Sequence, residues 1–458
     1  MTEIDAEIDA EIDAFLAANP DIEAAEAFVT DPNGVARGKL LRRAELASLY
    51  RDGRAMPVSS MSLDVTGREV DQTGLIRHAG DPDKLARPVP GTLTRAPWCG
   101  VPTAQLLLTL WEPDGEPHVA DPRHVLTGVV ARLEAAGYVP VVAAELEFYV
   151  VDPRRGADHR LQLARARSTG LRVDHVDLFS TTALAELEPF IAELFAAADV
   201  MGLPAQTIVS EAAPGQLEVV LRHRADAVRA ADDAVRWKRL VRGVAAKHSL
   251  LATFMAKPFS AHAGSGLHLH VSLADSAGRN LFASSDPAGS PLMRHAIGGL
   301  LATLDDSIGV FAPHANSYRR YQAGSYAPRS RSWGVNNRSV AIRIPTGAPE
   351  SRHLEHRVAG ADANPYLAIA VVLAGLHRGI VDELDPGPRV EGNADEQPGR
   401  ELSSDWLTAI HRLRDSGFLE SCLGARFSKI YHAIKSAEYA RFNTQVTELD
   451  LDWCLARV

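Results

Sequence analysis

An α+β fold built from two units is what this chain predicts, and three observations predict it. Up to about residue 120, short apolar runs alternate with turn signals such as Asp31-Pro32-Asn33-Gly34 and Pro88-Val89-Pro90-Gly91, the pattern of a small mixed unit. From residue 122 onward, long helical stripes alternate with separated strand patterns, which favours an antiparallel sheet with surrounding helices. Two of those later strands carry polar residues at every second position of an apolar run: Glu145 and Glu147, then His268, His270 and Ser272. A strand's period of two sets each group on a single face.

Taken in order, the chain starts with Glu-Ile-Asp-Ala three times over residues 3–14. Ile4, Ile8 and Ile12 then form a narrow apolar stripe on an acidic helix. Residues 1–18 predict an acidic helical tail, either frayed and solvated or docked on another subunit. Residues 19–118 form the first unit, with a strand from Ile22 to Val29. Residues 119–458 form the second, starting with a helix from Pro122 to Ala136 that carries Val125, Val129 and Leu133 on one stripe. Asn364 can cap a helix whose first position suits Pro365, and an apolar helix follows through Leu376. Residues 385–400, rich in Pro, Gly and acids, read as an exposed loop, and residues 403–458 as helical with one polar face.

Composition narrows the function classes. The net charge of −10 comes from residues 1–31, which hold ten acids and no Lys or Arg; the remainder balances at 48 charges of each sign. No basic face for nucleic acid is indicated. Three scattered cysteines, Cys99, Cys422 and Cys454, without a Cys-x-x-Cys pair, fit a reducing compartment and give no cysteine zinc site. The start is acidic, with no basic region of a signal peptide. The longest apolar run, residues 367–376, is far short of the roughly 20 residues that span a bilayer. The expectation is a cytoplasmic protein without membrane contact.

Glu145 and Glu147 share one strand face inside an apolar run, where two desolvated carboxylates repel. A cation between them makes the pair tolerable; arginines could also do so. Glu211 and Glu218 flank the turn Pro214-Gly215 and can be folded back toward each other. Glu355 and Arg357 share a face at i, i+2. Arg319 and Arg320, then Arg338 and Arg343, supply forks suited to carboxylates and phosphates. Arg338 and Arg343 are five apart, so at least one sits on a loop if both reach one ligand. Carboxylate-rich sets with little nitrogen and no sulfur suit Mg²⁺ or Mn²⁺. Hard cations with arginines are parts for phosphoryl transfer, and no P-loop motif is present. The Gly264-Ser265-Gly266 stretch before His268 lets backbone approach a ligand. Taken alone, that strand could equally be an edge strand with two half-buried histidines.

Together these segments resemble the glutamine synthetase family over nearly the whole chain. The matching residues are Glu145-Leu146-Glu147, residues 211–218, Phe254-Met255-Ala256-Lys257-Pro258, residues 264–270, Asn316 to Arg320, Asn337-Arg338-Ser339 with Arg343-Ile344-Pro345, and Glu355-His356-Arg357 leading to residues 362–366. The resemblance implies an N-terminal β-grasp domain and a C-terminal catalytic domain. It implies a homo-oligomer with sites between adjacent subunits, expected as a dodecamer of two hexameric rings. The reaction it implies is ATP phosphorylation of the glutamate γ-carboxylate, then attack of a nitrogen nucleophile. By position, Glu147, Glu211 and Glu218 would hold one metal, and Glu145, His268 and Glu355 another, with two or three Mg²⁺ or Mn²⁺ per site. Gly264, Arg320 and Arg338 would contact glutamate. Arg338, Arg343 and Arg357 would stabilise the moving phosphoryl group, with Arg343 and Arg357 also on the nucleotide side beside His270 and Ser272.

The departures set the acceptor. In glutamine-forming members the loop after the Arg-Arg pair carries a glutamate that helps deprotonate ammonium; here Tyr326, in Ser325-Tyr326-Ala327-Pro328, takes its place. The aspartate that holds ammonium has no clear counterpart, Asp64 being the nearest acid. Losing both anions removes a site for a small cation. These residues resemble the γ-glutamylpolyamine and γ-glutamyl-amine synthetase branch, with Tyr326 on the catalytic side. Ala263 and His353 replace an asparagine and an arginine of the family. The expected activity is ATP-dependent ligation of glutamate to an organic amine. The alternatives are an ammonia-using glutamine synthetase and a catalytically silent relative.

Overall fold

The computed structural model describes residues 3–458 apart from 78, 158, 398–400 and 404, and it describes side chains from residue 10 onward. Six strands build the first sheet: β1 (Ala24–Thr30), β2 (Ala36–Arg42), β3 (Arg54–Pro57), β4 (Asp83–Pro88), β5 (Thr94–Arg95) and β6 (Thr103–Trp111). Their order is β2-β1-β6-β4-β3, with β5 also on β6. The β1–β6 pair is parallel and the others antiparallel.

The second sheet has nine strands: β7 (Val139–Asp152), β8 (Gln162–Leu163), β9 (Ala205–Ser210), β10 (Gln216–Leu221), β11 (Leu251–Thr253), β12 (Leu267–Ala274), β13 (Trp333–Val335), β14 (Ile342–Ile344) and β15 (Leu354–His356). The order β13-β14-β15-β12-β7-β10-β9 is antiparallel except between β13 and β14. β12 therefore lies inside the sheet, between β7 and β15, and not at an edge. The architecture is α+β.

Among the described residues, twelve helices surround the sheets: α1 (Glu3–Ala18), α2 (Leu46–Asp52), α3 (Pro122–Ala135), α4 (Thr181–Glu186), α5 (Glu188–Val200), α6 (Ala227–Lys247), α7 (Pro291–Phe311), α8 (Pro365–Val381), α9 (Trp406–Asp415), α10 (Gly417–Leu423), α11 (Ala425–Phe442) and α12 (Glu448–Cys454). Their starts follow local chemistry. Asp121 accepts the Arg123 amide at 2.9 Å ahead of Pro122. Asn364 accepts the Tyr366 amide at 3.0 Å ahead of Pro365. Each side-chain oxygen satisfies an amide that the helix leaves without a carbonyl. Leu146, Phe148, Leu217, Val219, Leu267, Leu269 and Val271 form one buried apolar face, in the core that also contains α6 and α8 residues. That leaves the opposite face of β7, β10 and β12 for polar side chains.

The first helix departs from the solvated tail read in the sequence. Ile12 is 2% exposed in the core of the first sheet, with Phe15 and Leu16 packed against it, and Glu11 accepts the Gly91 amide at 3.0 Å. Burying an isoleucine is worth about 1.5–3 kcal/mol, enough to hold this turn on its own chain. Ile4 and Ile8 lie outside the described side chains. Residues 398–400 of the expected loop also lie outside the described set, and its remainder has one short turn, Ala394–Glu396. Among the described residues no helix is long and apolar enough to cross a membrane.

Candidate active site

Strand register assembles the site. β7 sets Glu147 opposite Glu218 of β10 and Glu145 opposite His268 of β12. β12 sets His270 opposite Glu355 of β15, and β14 sets Arg343 opposite Glu355. Cross-strand partners share a face, so one polar row runs over five strands, backed by the apolar core.

Distances in that row are short. His268 donates from Nδ1 to Glu145 Oε1 at 2.6 Å, and its Nε2 lies 3.8 Å from Glu147. Nδ1 of His268 is also 3.8 Å from Glu355. Among the described residues, two triads have ligand atoms all within 4.8 Å of one another: Glu145–His268–Glu355 and Glu147–Glu218–His268. The first coincides with a set named by position in the sequence. In the second, His268 joins Glu147 and Glu218; Glu211 lies on the 211–215 turn after β9, where the Glu147 charge acts on it.

Charges in this row explain what it could hold. Burial, reinforced by Glu145 and Glu147, pushes the Glu218 carboxyl far above the usual range. Burial and Glu147 raise Glu211 to about 7, against a lowering by Arg338. Burial opposes ionisation of Glu145, but hydrogen bonds from His268 and His270 hold it well below the ordinary value. Glu355 is likewise lowered, because Arg357, His268 and His270 outweigh its burial. Like charges this close cannot all ionise without a cation. An oxygen-rich set with a single imidazole fits a hard divalent ion.

The arginines divide. Arg343 donates from Nη1 to Glu355 Oε2 at 2.7 Å, and Arg357 donates to Oε1 of the same carboxylate. Arg343 lies on β14 while Arg338 lies on the loop before it, exposed. Arg320 is 4% exposed and donates to the Val358 carbonyl at 2.9 Å. The glycines before β12 serve this arginine. A Cβ on Gly264 would sit 2.7 Å from Arg320 Cγ, and one on Gly266 would sit 2.7 Å from Arg320 Nη2. Arg320 and His268 thus lie against these glycines, and neither glycine has room for a side chain.

His270 and Ser272 face a cavity of about 630 Å³ that Glu145, His223 and His353 also line. Nδ1 of His270 is 3.2 Å from Nε2 of His353, so His353 braces it directly. Tyr326 is 72% exposed and, with Arg338, borders a second cavity of about 360 Å³. Asp64 accepts from Thr66, the Arg68 amide and Arg441, so it is tied within its own loop and to α11.

Sequence reasoning gave Gln216 no role. It donates to Glu147 at 3.2 Å and to the Gly264 carbonyl at 3.0 Å, linking the triad to the glycine segment. Its parity with Glu218 on β10 was the available signal. The hydroxyl of Tyr149, donating to the Ala263 carbonyl at 2.7 Å, had none, because it lies on the strand by a contact 114 residues away.

Comparisons agree with this geometry. Residues 119–454 match the pattern described as "Glutamine synthetase, catalytic domain". The chain is 38% identical over 441 residues to gamma-glutamylputrescine synthetase PuuA of Escherichia coli K12, covering 96% of this chain and 93% of that protein. It is 32% identical to gamma-glutamylethanolamide synthetase GlnA4 of Streptomyces coelicolor, covering 95% and 93%. The structure of a GmaS/ADP complex aligns with a TM-score of 0.84 at 28% identity, covering 96% of this chain and 99% of the other. The chain belongs to the glutamine synthetase family.

Proposed function

We propose that the protein is an ATP-dependent ligase that joins the γ-carboxylate of glutamate to an organic amine through a γ-glutamyl phosphate. The observation that carries this reading is the pair of triads sharing His268, with both oxygens of Glu355 held by Arg343 and Arg357. The relatives named for putrescine and ethanolamide products point to an amine acceptor.

The residues divide the work. The cavity beside His270 and Ser272 takes ATP, with His353 in the same wall. Arg320 and Gly264 hold glutamate, with Arg338 at its reacting end. Mg²⁺ or Mn²⁺, two or three per site, would neutralise the phosphates when bound by Glu145, His268 and Glu355 and by Glu147, Glu218 and Glu211. A γ-carboxylate oxygen attacks the terminal phosphorus and ADP leaves, while Arg338, Arg343 and Arg357 stabilise the charge on the transferred group. The amine nitrogen, having lost a proton to become nucleophilic, attacks the acyl carbon. Phosphate leaves, and loss of a second proton yields the amide. Tyr326 borders the acceptor side; a neutral phenol there offers a small ammonium ion no counter-charge.

The test is phosphate release and γ-glutamyl-amide formation with ATP, glutamate and a panel of amines. Amine-dependent release is expected, and release with ammonia but with no amine would overturn the reading. We also propose a homo-oligomer of two hexameric rings, with the units divided at residues 18 and 118. Native mass at twelve times the 49.4 kDa chain is the expected result.

A further inference from the structure

We infer that Asp395 reads the second ammonium group of an α,ω-diamine or polyamine acceptor, from the cavity that Tyr326 and Arg338 border. The inference rests on the amine-ligase reading and assigns the acceptor's far end to a residue.

The cavity of about 360 Å³ forms where residues 324–326, 337–339 and 392–395 converge. Its wall includes Arg338, which the proposed function sets at the reacting end of glutamate. The larger cavity beside His270 and Ser272 takes the nucleotide. A third cavity, behind the 210–215 turn, is walled by Leu163, Val173 and Leu187 and includes none of the proposed catalytic residues. A fourth cavity, of about 340 Å³ beside Asp64 and Asn316, holds none of the arginines assigned to the phosphoryl group either; the Tyr326 cavity, which Arg338 borders, is the one assigned to the acceptor.

Its chemistry selects the acceptor. Among the described residues the lining has no aliphatic side chain: beyond Tyr326 and Arg338 it offers Asn337, Ser339, Asn393 and Asp395, with serine and glycine between them. An alkylamine would gain little from burial against such a wall, since the gain scales with apolar area removed from water. Asp395 is the sole carboxylate among the described residues of the lining. Its Oδ1 accepts from Arg329 Nε at 3.2 Å and its Oδ2 from the Gly324 amide at 3.4 Å. A carboxylate has about four acceptor positions, so both oxygens keep capacity for a further donor. Residues 382–396 carry Asp382, Glu383, Asp385, Glu391, Asp395 and Glu396 against Arg389 alone. A second ammonium at Asp395 forms a charge-assisted hydrogen bond that a butyl terminus cannot form.

Asp395 also ties the Tyr326 loop through Gly324, so the test must separate recognition from tethering. The readout is the ratio of kcat/KM for 1,4-diaminobutane to that for 1-aminobutane. Wild type is expected to favour the diamine, D395N to lower the ratio about tenfold or more, and D395E to restore part of it. R329M loosens the same tether from the other side and is expected to keep the wild-type ratio. An unchanged ratio in D395N, or an equal fall in R329M, overturns the assignment. So does a wild type that uses 4-amino-1-butanol as well as the diamine. Absence of amine-dependent phosphate release with every acceptor overturns the ligase reading and this inference with it.

Discussion

Glu218 shows how a single residue couples charge to ligand binding. Burial beside Glu145 and Glu147 keeps its carboxyl protonated without a cation, so an amide of the same shape costs the metal-free protein little. Glu218→Gln is expected to leave the metal-free Tm within about 2 °C, remove most of the Tm gain on adding Mn²⁺, and lower amide formation by about 100-fold or more. Thermal scans with and without Mn²⁺ check it, and an undiminished gain counts against the triad. Glu211 adds a pH dependence. Its folded pKa of about 7 lies above its ordinary 4.5, so the folded state holds more protons than the unfolded one between those values. Its contribution to stability is therefore fully present below pH 4.5 and is lost as pH rises through 7. Metal-free Tm should fall from pH 5 to 8, and the gain on adding Mn²⁺ should grow over the same window, because binding releases protons. A Tm gain independent of pH would be the contrary result.

At the scale of elements, the segment leading into β12 depends on missing side chains. Gly264 has no room for a Cβ, which would meet the Ala256 carbonyl at 2.6 Å and Arg320 Cγ at 2.7 Å. Gly264→Ala should displace Arg320 and raise the KM for glutamate about tenfold while the KM for ATP changes less. Steady-state kinetics with each substrate varied separates the two. Helix α8 offers a stability test. Asn364 caps it and also donates to the Asp31 carbonyl at 3.1 Å. Asn364→Ala is expected to cost about 1–2 kcal/mol in denaturant unfolding, more than a cap alone because a contact with the first unit goes with it.

For the whole molecule, a buried lysine joins the two sheets' units. Lys435 is fully buried and donates to Asn33 at 2.5 Å and to Glu438 at 3.0 Å, while Glu438 accepts the Val65 amide at 2.8 Å. Burial works against ionising Glu438, but Lys435 and His314 hold its pKa at about 2. Its contribution is thus present above pH 4.5 and lost as pH falls toward 2. Lys435→Met should destabilise by about 3–5 kcal/mol, because Glu438 remains buried without its partner. Urea unfolding at pH 7 gives the value, and a cost below about 1 kcal/mol would deny the lysine this role.

Much of the site was legible because strand parity is local. Glu145 with Glu147, and His268 with His270 and Ser272, share faces through a period of two that needs no knowledge of the fold. The Asn364-Pro365 start of α8 was legible for the same reason, a cap acting within three residues. The spacing of five required only that Arg338 or Arg343 sit on a loop if both reach one ligand; that it is Arg338 was decided by where β14 begins.

Other features belong to pairings between distant residues. The sharing of His268 between the two triads depends on the register of β12 and β10 against β7, and register is set by the packing of whole strands. The filling of the Gly264 and Gly266 space depends on Arg320, more than fifty positions onward. The burial of Ile12 depends on the first sheet, since a four-residue stripe reads alike on a solvated and a docked helix. The approach of Asp395 to Gly324 joins two loops that carry no periodic signal. By itself the sequence determined which side chains share a face and which chemistry they suit; only the tertiary structure decided which faces meet, because long-range pairing follows from burying the core as a whole.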